Sequence, residues 1–375
     1  MDKMKRFIDC GVPTFTCNYR CHYCYVAQNF LFTQMVPEFK YPPEVIGAAL
    51  TKKRLGGTCM FNICANGETL IPEKIIGYIK AILAEGHYVM VVTNGSLRRR
   101  FEQIAEFPIE YRKRLFFKIS YHYLELKRTN GFDKFFANVK LIKEMGASFT
   151  LEITPSDELI PYIDEIKKVT MENAGAWPHI TVARDESKPD YPLLTKLSRE
   201  DYIKTWGVFN SKMFDFKISV FGEKRREYCY AGNWTFTLNL LTGTMKQCYK
   251  TNYFANIYKH LDKPLRFVNI GRGCKAPHCH NAHAFLCFGA IPELDTPYYA
   301  ELRNRVCADG TEWLTPEMKA FMSNKLEEDN LALQPKSDIA INFVYNILYR
   351  FAMCGRNVLK KLNPSFKANE RKAHK

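Results

Sequence analysis

Through roughly the first 210 residues of this 375-residue chain, strand-like segments alternate with segments of helical periodicity, a rhythm that calls for parallel strands joined by crossover helices. The expected strands are rich in β-branched and aromatic side chains: Arg6 to Phe15, Thr58 to Ile63, Tyr88 to Val92, Leu115 to Ser120, Ser148 to Ile153 and His179 to Ala183. Between them, Ile75, Ile79, Ile82 and Leu83 share one face of a helix from Pro72 to Glu85 that stops at Gly86. Phe135, Val139, Ile142 and Met145 repeat the pattern before Gly146, and Asp157 is expected to cap a helix that turns Ile163, Ile166 and Val169 inward. Six such units predict an α/β fold, a partial (β/α)6 TIM-like barrel. In parallel barrels the loops after the strands build the active site, so chemistry is sought there.

Around Phe216 the rhythm changes to short strands and turns, with a hairpin from Thr235 to Tyr249 turning at Thr242 and Gly243. The expected division is a barrel over 1–212, a small C-terminal auxiliary domain over 213–290, and a helical extension with a basic tail over 291–375. In the extension, Thr315 followed by Pro316 marks a helix start. A further helix from Asp338 to Cys354 carries Ile339, Phe343, Ile347 and Phe351, and is expected to pack against the barrel rather than on lipid.

The formal charge is +15, of which the segment from Arg350 to Lys375 supplies +7. An anionic partner is implied; peripheral membrane contact by the tail is one use of it, and no nucleic acid is expected. The first residues hold no apolar stretch of signal-peptide length, nor does any later run approach a membrane span, so a cytoplasmic location is expected. In a reducing compartment thirteen cysteines speak for metal or cluster ligation rather than disulfides. Cys10, Cys59, Cys64, Cys307 and Cys354 lie outside the two cysteine groups and are expected to be small buried hydrophobes.

The first group, Cys17, Cys21 and Cys24, follows the first strand and fits a compact loop around one metal centre. A structural zinc site closes with four ligands, and the neighbouring His22 is an awkward co-ligand of Cys21. Three thiolates on a four-iron cluster instead leave one iron open. The C-x3-C-x2-C spacing, with Tyr23 before the last cysteine, resembles the defining motif of the radical S-adenosylmethionine superfamily. Ala65-Asn66-Gly67-Glu68 resembles that family's Gly-Gly-Glu segment, with Asn66 in place of the first glycine.

The resemblance implies a 4Fe-4S cluster on Cys17, Cys21 and Cys24 and a bound S-adenosylmethionine contacted by Tyr23, Gly67, Glu68, Asn94, Ser120 and Glu152. Thr93-Asn94-Gly95 resembles a turn common in peptide-modifying members, and His122 lies where ribose or carboxylate contacts are expected. The implied reaction is reductive cleavage of S-adenosylmethionine to a 5'-deoxyadenosyl radical that abstracts a substrate hydrogen. A reductant such as flavodoxin or ferredoxin is implied as a partner.

The second group, Cys229, Cys248, Cys274, Cys279 and Cys287, is interleaved with His278, His280 and His283. Its beginning, with Ala231-Gly232 and a Gly-x4-Cys ending, resembles the auxiliary-cluster domains called SPASM or twitch. The continuation departs from their usual spacing, so one auxiliary 4Fe-4S cluster is implied, four of these five cysteines serving as ligands. A zinc site made of the same Cys and His residues is the alternative, and iron content separates the two. The auxiliary region favours a peptide or protein substrate. A small anionic substrate such as a nucleotide-linked sugar is the second possibility, and a non-enzymatic metal-binding protein the third.

Overall fold

The computed structural model describes residues 2–331 apart from 250, 252 and 273, together with scattered positions from 340 to 358. Six strands form the parallel part of one sheet: β1 (Arg6–Val12), β2 (Cys59–Ala65), β3 (Tyr88–Thr93), β4 (Leu115–Ser120), β5 (Ser148–Ile153) and β6 (His179–Ile180). Then come β7 (Thr235–Asn239), β8 (Thr244–Lys246) and β9 (Tyr253–Asn256), giving the order β6-β5-β4-β3-β2-β1-β7-β8-β9. The sequence of β1 to β6 across the sheet is the partial barrel that the strand–helix alternation predicts.

The helices that position the site are α1 (Tyr25–Gln28), α2 (Ile75–Ala84), α3 (Phe132–Glu144), α4 (Ile163–Ala174), α5 (Lys212–Ser219), α6 (Ala282–Phe285), α7 (Tyr299–Arg303) and α8 (Pro316–Met322). Strand β1 stops three residues short of the expected Phe15, at Val12, because Pro13 has no amide hydrogen for the ladder. Asp157 does not cap α4. Its carboxylate accepts from Thr195 Oγ1 at 2.6 Å and the Lys196 amide at 2.8 Å, and Asp157–Tyr162, which contains Pro161, is a 3-10 turn leading into α4.

Alternation along each strand sorts residues to two faces. Ile8, Cys10, Phe61, Ile63, Val89, Val91, Phe117, Ile119, Leu151 and Ile153 are buried in the core that includes the crossover helices. Phe7, Met60, Tyr88, Met90 and Phe116 face the other way, into a second core with Trp234, Phe285, Phe288, Tyr299, Met318 and Phe321. Segments 282–322 therefore close one end of the concave side of the sheet. Phe321 stacks on Tyr88 with centroids 3.6 Å apart, and Phe288 on Phe7 at 5.0 Å. Thr315 caps α8 as expected, accepting the Met318 amide.

On the same concave side stands a polar layer of Asp9, Asn62, Lys118 and Glu152, all but Lys118 buried. The sequence does not announce it, since each member is one polar residue in an apolar strand. Strand β7 pairs in parallel with β1, Phe7 opposite Thr235 through Gly11 opposite Asn239. The hairpin following residue 213 is thus hydrogen-bonded into the same sheet.

Of the expected helix from Asp338, Ile339 lies outside the described residues, while Phe343 and Phe351 are helical and 68% and 73% exposed. Their packing against the barrel is therefore corrected: these aromatic side chains face solvent. The basic tail beyond residue 358 lies outside the described residues. Among the described residues no helix is long and apolar enough to cross a membrane.

Candidate active site and cysteine cavity

The loop after β1 carries the first three cysteines and is held from several sides. The Gly67 amide donates to Thr14 O at 2.7 Å and the Glu68 amide to Thr16 O at 3.0 Å, continuing the pairing of β1 with β2 beyond the strand ends. This approach is so close that a Cβ on Gly67 would meet Thr16 O at 2.1 Å, which only glycine avoids. Cys24 N–H donates to Cys21 O at 3.1 Å, and α1 starts directly after Cys24.

These elements line a pocket shared by Cys17, Cys21, Cys24, Asn66, Gly67, Glu68, Asn94, Ser120 and His122, among others. It lies where the ends of β1 to β4 meet, the position expected for barrel chemistry. Glu68 is buried, and its carboxylate accepts Thr93 Oγ1 at 2.7 Å, the Leu70 amide at 3.0 Å and the Asn94 amide at 2.7 Å. Burial raises its pKa, against the lowering effect of these bonds. Asn94 Nδ2 reaches Asn18 Oδ1 at 2.8 Å and stands 4.0 Å from Cys17 Sγ. His122 is held neutral, its pKa pushed down by burial to about 4.

Two of the expected contacts stand apart from this cavity. Tyr23 is buried behind it, its hydroxyl 2.7 Å from His122 Nδ1, so it orients a residue that lines the cavity. Glu152 points into the barrel interior, where Lys118 Nζ at 3.1 Å and Arg303 Nη1 at 2.8 Å share its Oε2. Burial would raise its pKa, but Arg303, Lys118 and Lys217 outweigh burial and hold it at about 2.

The donor set suits a cluster with one open iron. Among the described residues Cys17, Cys21 and Cys24 are the only cysteines lining this cavity. Burial raises all three thiol pKa values, so binding iron there displaces their protons. Among the described residues no three His, Cys, Asp or Glu side chains are gathered around a single ion position. Cluster thiolates bind different irons, so such convergence is not required of them.

The second group lines a separate pocket, in which Cys229, Cys248, Cys274, Cys279, His278 and His280 stand with Phe285 and Leu286. Cys229 and Gly271 exchange backbone hydrogen bonds at 3.0 and 3.1 Å, and Gly232, at φ +101, lies so near Val268 O that a Cβ would meet it at 1.9 Å. Burial raises the Cys279 thiol first, and the charges of Cys248, Cys229 and Cys274 raise it further. Cys287 lies elsewhere: fully buried in the apolar core, it is raised to about 12 by burial and senses Lys325, Arg303 and Glu301 rather than another cysteine. Of the remaining cysteines, Cys10, Cys59 and Cys307 are buried, Cys64 is partly buried, and Cys354 is exposed, against expectation.

The fold is a strand–helix barrel with three cysteines at the mouth of its first strand, facing a Gly-Glu turn from its second. Residues 12–155 match the model of the Radical SAM superfamily. Among solved structures it is similar to Streptococcus suis SuiB bound to S-adenosylmethionine, at 15% identity over 68% of this chain and 65% of that one, with a TM-score of 0.47. It is similar also to anSMEcpe with bound AdoMet, at 15% identity over 68% and 79% of the two chains and a TM-score of 0.44. A third is BtrN in complex with AdoMet and 2-DOIA, at 14% identity over 70% and 82%, with a TM-score of 0.38. The chain thus spans just under two thirds of SuiB. No curated protein matches it.

Proposed function

We propose that this chain is a radical S-adenosylmethionine enzyme acting on a peptide or protein, with an auxiliary four-iron cluster on Cys229, Cys248, Cys274 and Cys279. The observation that carries the reading is the single cavity shared by Cys17, Cys21, Cys24, Gly67, Glu68, Asn94 and Ser120. When bound there, the cluster and S-adenosylmethionine supply a 5'-deoxyadenosyl radical once an electron arrives from a reductant such as flavodoxin or ferredoxin.

The chain's own residues hold and orient. Cys17, Cys21 and Cys24 would hold the cluster, Gly67 permits the close approach of the loop, and Asn94 and Ser120 would offer polar groups to the cofactor. Glu68 fixes the turn that carries them and offers its remaining lone pairs to the methionyl ammonium. The polar layer of Asp9, Asn62, Lys118 and Glu152 gives the interior a lining for substrate groups.

A small anionic substrate is the second reading, favoured by one observation: Lys118, Arg184, Lys217 and Arg303 outnumber Asp9, Glu152 and Glu186 among the interacting charged side chains of the interior. Anaerobic reconstitution tests the class. Iron and sulfide per chain are measured, then 5'-deoxyadenosine formed from S-adenosylmethionine and dithionite, in wild type and in the Cys17→Ala, Cys21→Ala, Cys24→Ala triple variant. Product in wild type alone supports the enzyme. No product from wild type, with zinc in place of iron, returns the chain to a metal-binding role.

A further inference from the structure

The sixteen residues from Ile339 to Cys354 contain only three strongly polar side chains, Asn342, Asn346 and Arg350, spaced four apart. A helical period puts those three on one stripe and leaves the rest of the circumference apolar or aromatic, so the segment needs a cover. At 1.5 Å per residue such a helix reaches about 24 Å, short of the roughly 30 Å hydrocarbon core of a bilayer. Its length suits lying on a membrane rather than crossing one.

The body of the protein does not supply the cover. Phe343, Val344, Ile347, Leu348 and Phe351 are helical and follow one another at spacings of one and three, so they share a face. Their exposures are 68%, 54%, 37%, 62% and 73%. The barrel helices behave differently: Ile75, Ile79, Ile82 and Leu83 of α2 are all buried. A contiguous apolar face left open to solvent marks an interaction surface.

Charge selects the partner. From Arg350 to Lys375 the sequence holds eight basic residues and one acid, a net +7 directly after the apolar face. That pairing matches the two layers of an anionic bilayer surface, acyl chains beneath and phosphate headgroups above. A second copy of the chain would cover the apolar face as well, but it would bring its own +7 against the first.

We propose that the helix face of Phe343, Val344, Ile347, Leu348 and Phe351, with the basic run that follows it in sequence, docks the protein on an anionic lipid surface. The apolar side chains enter the interface and the basic residues hold the headgroups, two signals that anchor together where either alone is weak. No residue of either cysteine pocket takes part, so this surface stands independently of the enzyme reading.

The test sediments the full chain with vesicles of phosphatidylcholine alone and of phosphatidylcholine mixed with phosphatidylglycerol, at low and high salt. Wild type is expected to bind the mixed vesicles at least about tenfold more tightly than the neutral ones, and high salt should erase most of the difference. Phe343→Asp combined with Phe351→Asp should lose about tenfold or more on the mixed vesicles. Lys360→Gln combined with Lys361→Gln should lose about tenfold there and nothing on the neutral ones. Iron content and circular dichroism equal to wild type show that each variant is folded.

Wild-type binding that ignores lipid charge, or that survives either pair of substitutions, overturns the proposal. So does a lack of binding to both kinds of vesicle. If wild type then sediments without lipid as a dimer that Phe343→Asp with Phe351→Asp converts to monomer, the face belongs to a second copy of the chain.

Discussion

Glu68 and Asn94 tie two neighbouring strand ends together: the Glu68 Oε2 accepts the Asn94 backbone amide at 2.7 Å, bridging the turn after β2 to the turn after β3. Two more donors, the Leu70 amide and the Thr93 hydroxyl, converge on Oε1. Glu68→Ala orphans three buried donors at once, and each orphan costs about 1–3 kcal/mol. The expected loss in urea unfolding is about 3 kcal/mol or more, together with weaker S-adenosylmethionine binding. Glu68→Gln keeps one acceptor oxygen and should cost less. A Glu68→Ala variant as stable as wild type would contradict this account.

Gly67→Ala addresses the same loop from the other side. Its Cβ would lie 2.1 Å from Thr16 O, a backbone atom that moves only if the cysteine loop moves. The strain is expected to cost about 2 kcal/mol. Iron on the first cluster should fall more steeply than stability, because Cys17 follows Thr16 directly. Iron analysis beside circular dichroism separates the two effects.

The strands and crossover helices were legible in the sequence because their apolar positions repeat with periods of two and 3.6, and the first cysteine group because its members are close neighbours. Ends depended on single residues: Pro13 and Pro161 moved boundaries that periodicity alone extends. The concave face was not legible. Glu152 meets Arg303 from a helix 151 positions later and Lys118 from the adjoining strand, and no local pattern links the three. Nor does spacing distinguish Cys287 from its neighbours; only the packing of 282–291 into the apolar core does.

Glu152 also predicts how stability responds to acid. Its folded-state pKa, about 2, lies below the ordinary value of 4.5, so the unfolded chain binds the proton more tightly. The stabilisation is complete above about pH 5 and is lost as pH falls from there through 2. The shift corresponds to on the order of 3 kcal/mol, falling to less than half of that by pH 3. Glu152→Gln should therefore be much less stable than wild type at pH 7, and the gap should narrow toward pH 3. A gap independent of pH would show that the carboxylate's charge is not what matters.

Phe321, on α8, lies almost parallel to Tyr88 at an interplanar angle of 8° and is fully buried. Phe321→Ala removes the ring that closes the end of the concave face and should cost about 3–5 kcal/mol. Iron bound by the first cluster is expected to persist in the folded fraction, since that site stands at the opposite ends of the strands. Co-loss of that iron at temperatures where the variant remains folded would refute such independence.

Replacing the second-group cysteines one at a time separates ligand from core. Cys229, Cys248, Cys274 and Cys279 face one cavity, where burial first and then neighbouring thiols raise the pKa values of Cys229, Cys248 and Cys279, whereas Cys287 packs among apolar side chains with no exposed surface. Alanine at any of the first four should lower iron and sulfide by up to one cluster's complement while the first cluster still cleaves S-adenosylmethionine. Cys287→Ala should retain all the iron and instead lose about 1 kcal/mol of stability, the transfer and cavity terms of a small buried side chain. Iron lost from Cys287→Ala but kept in Cys279→Ala would reverse the assignment, because a thiol that holds iron cannot be exchanged for a methyl group without releasing it.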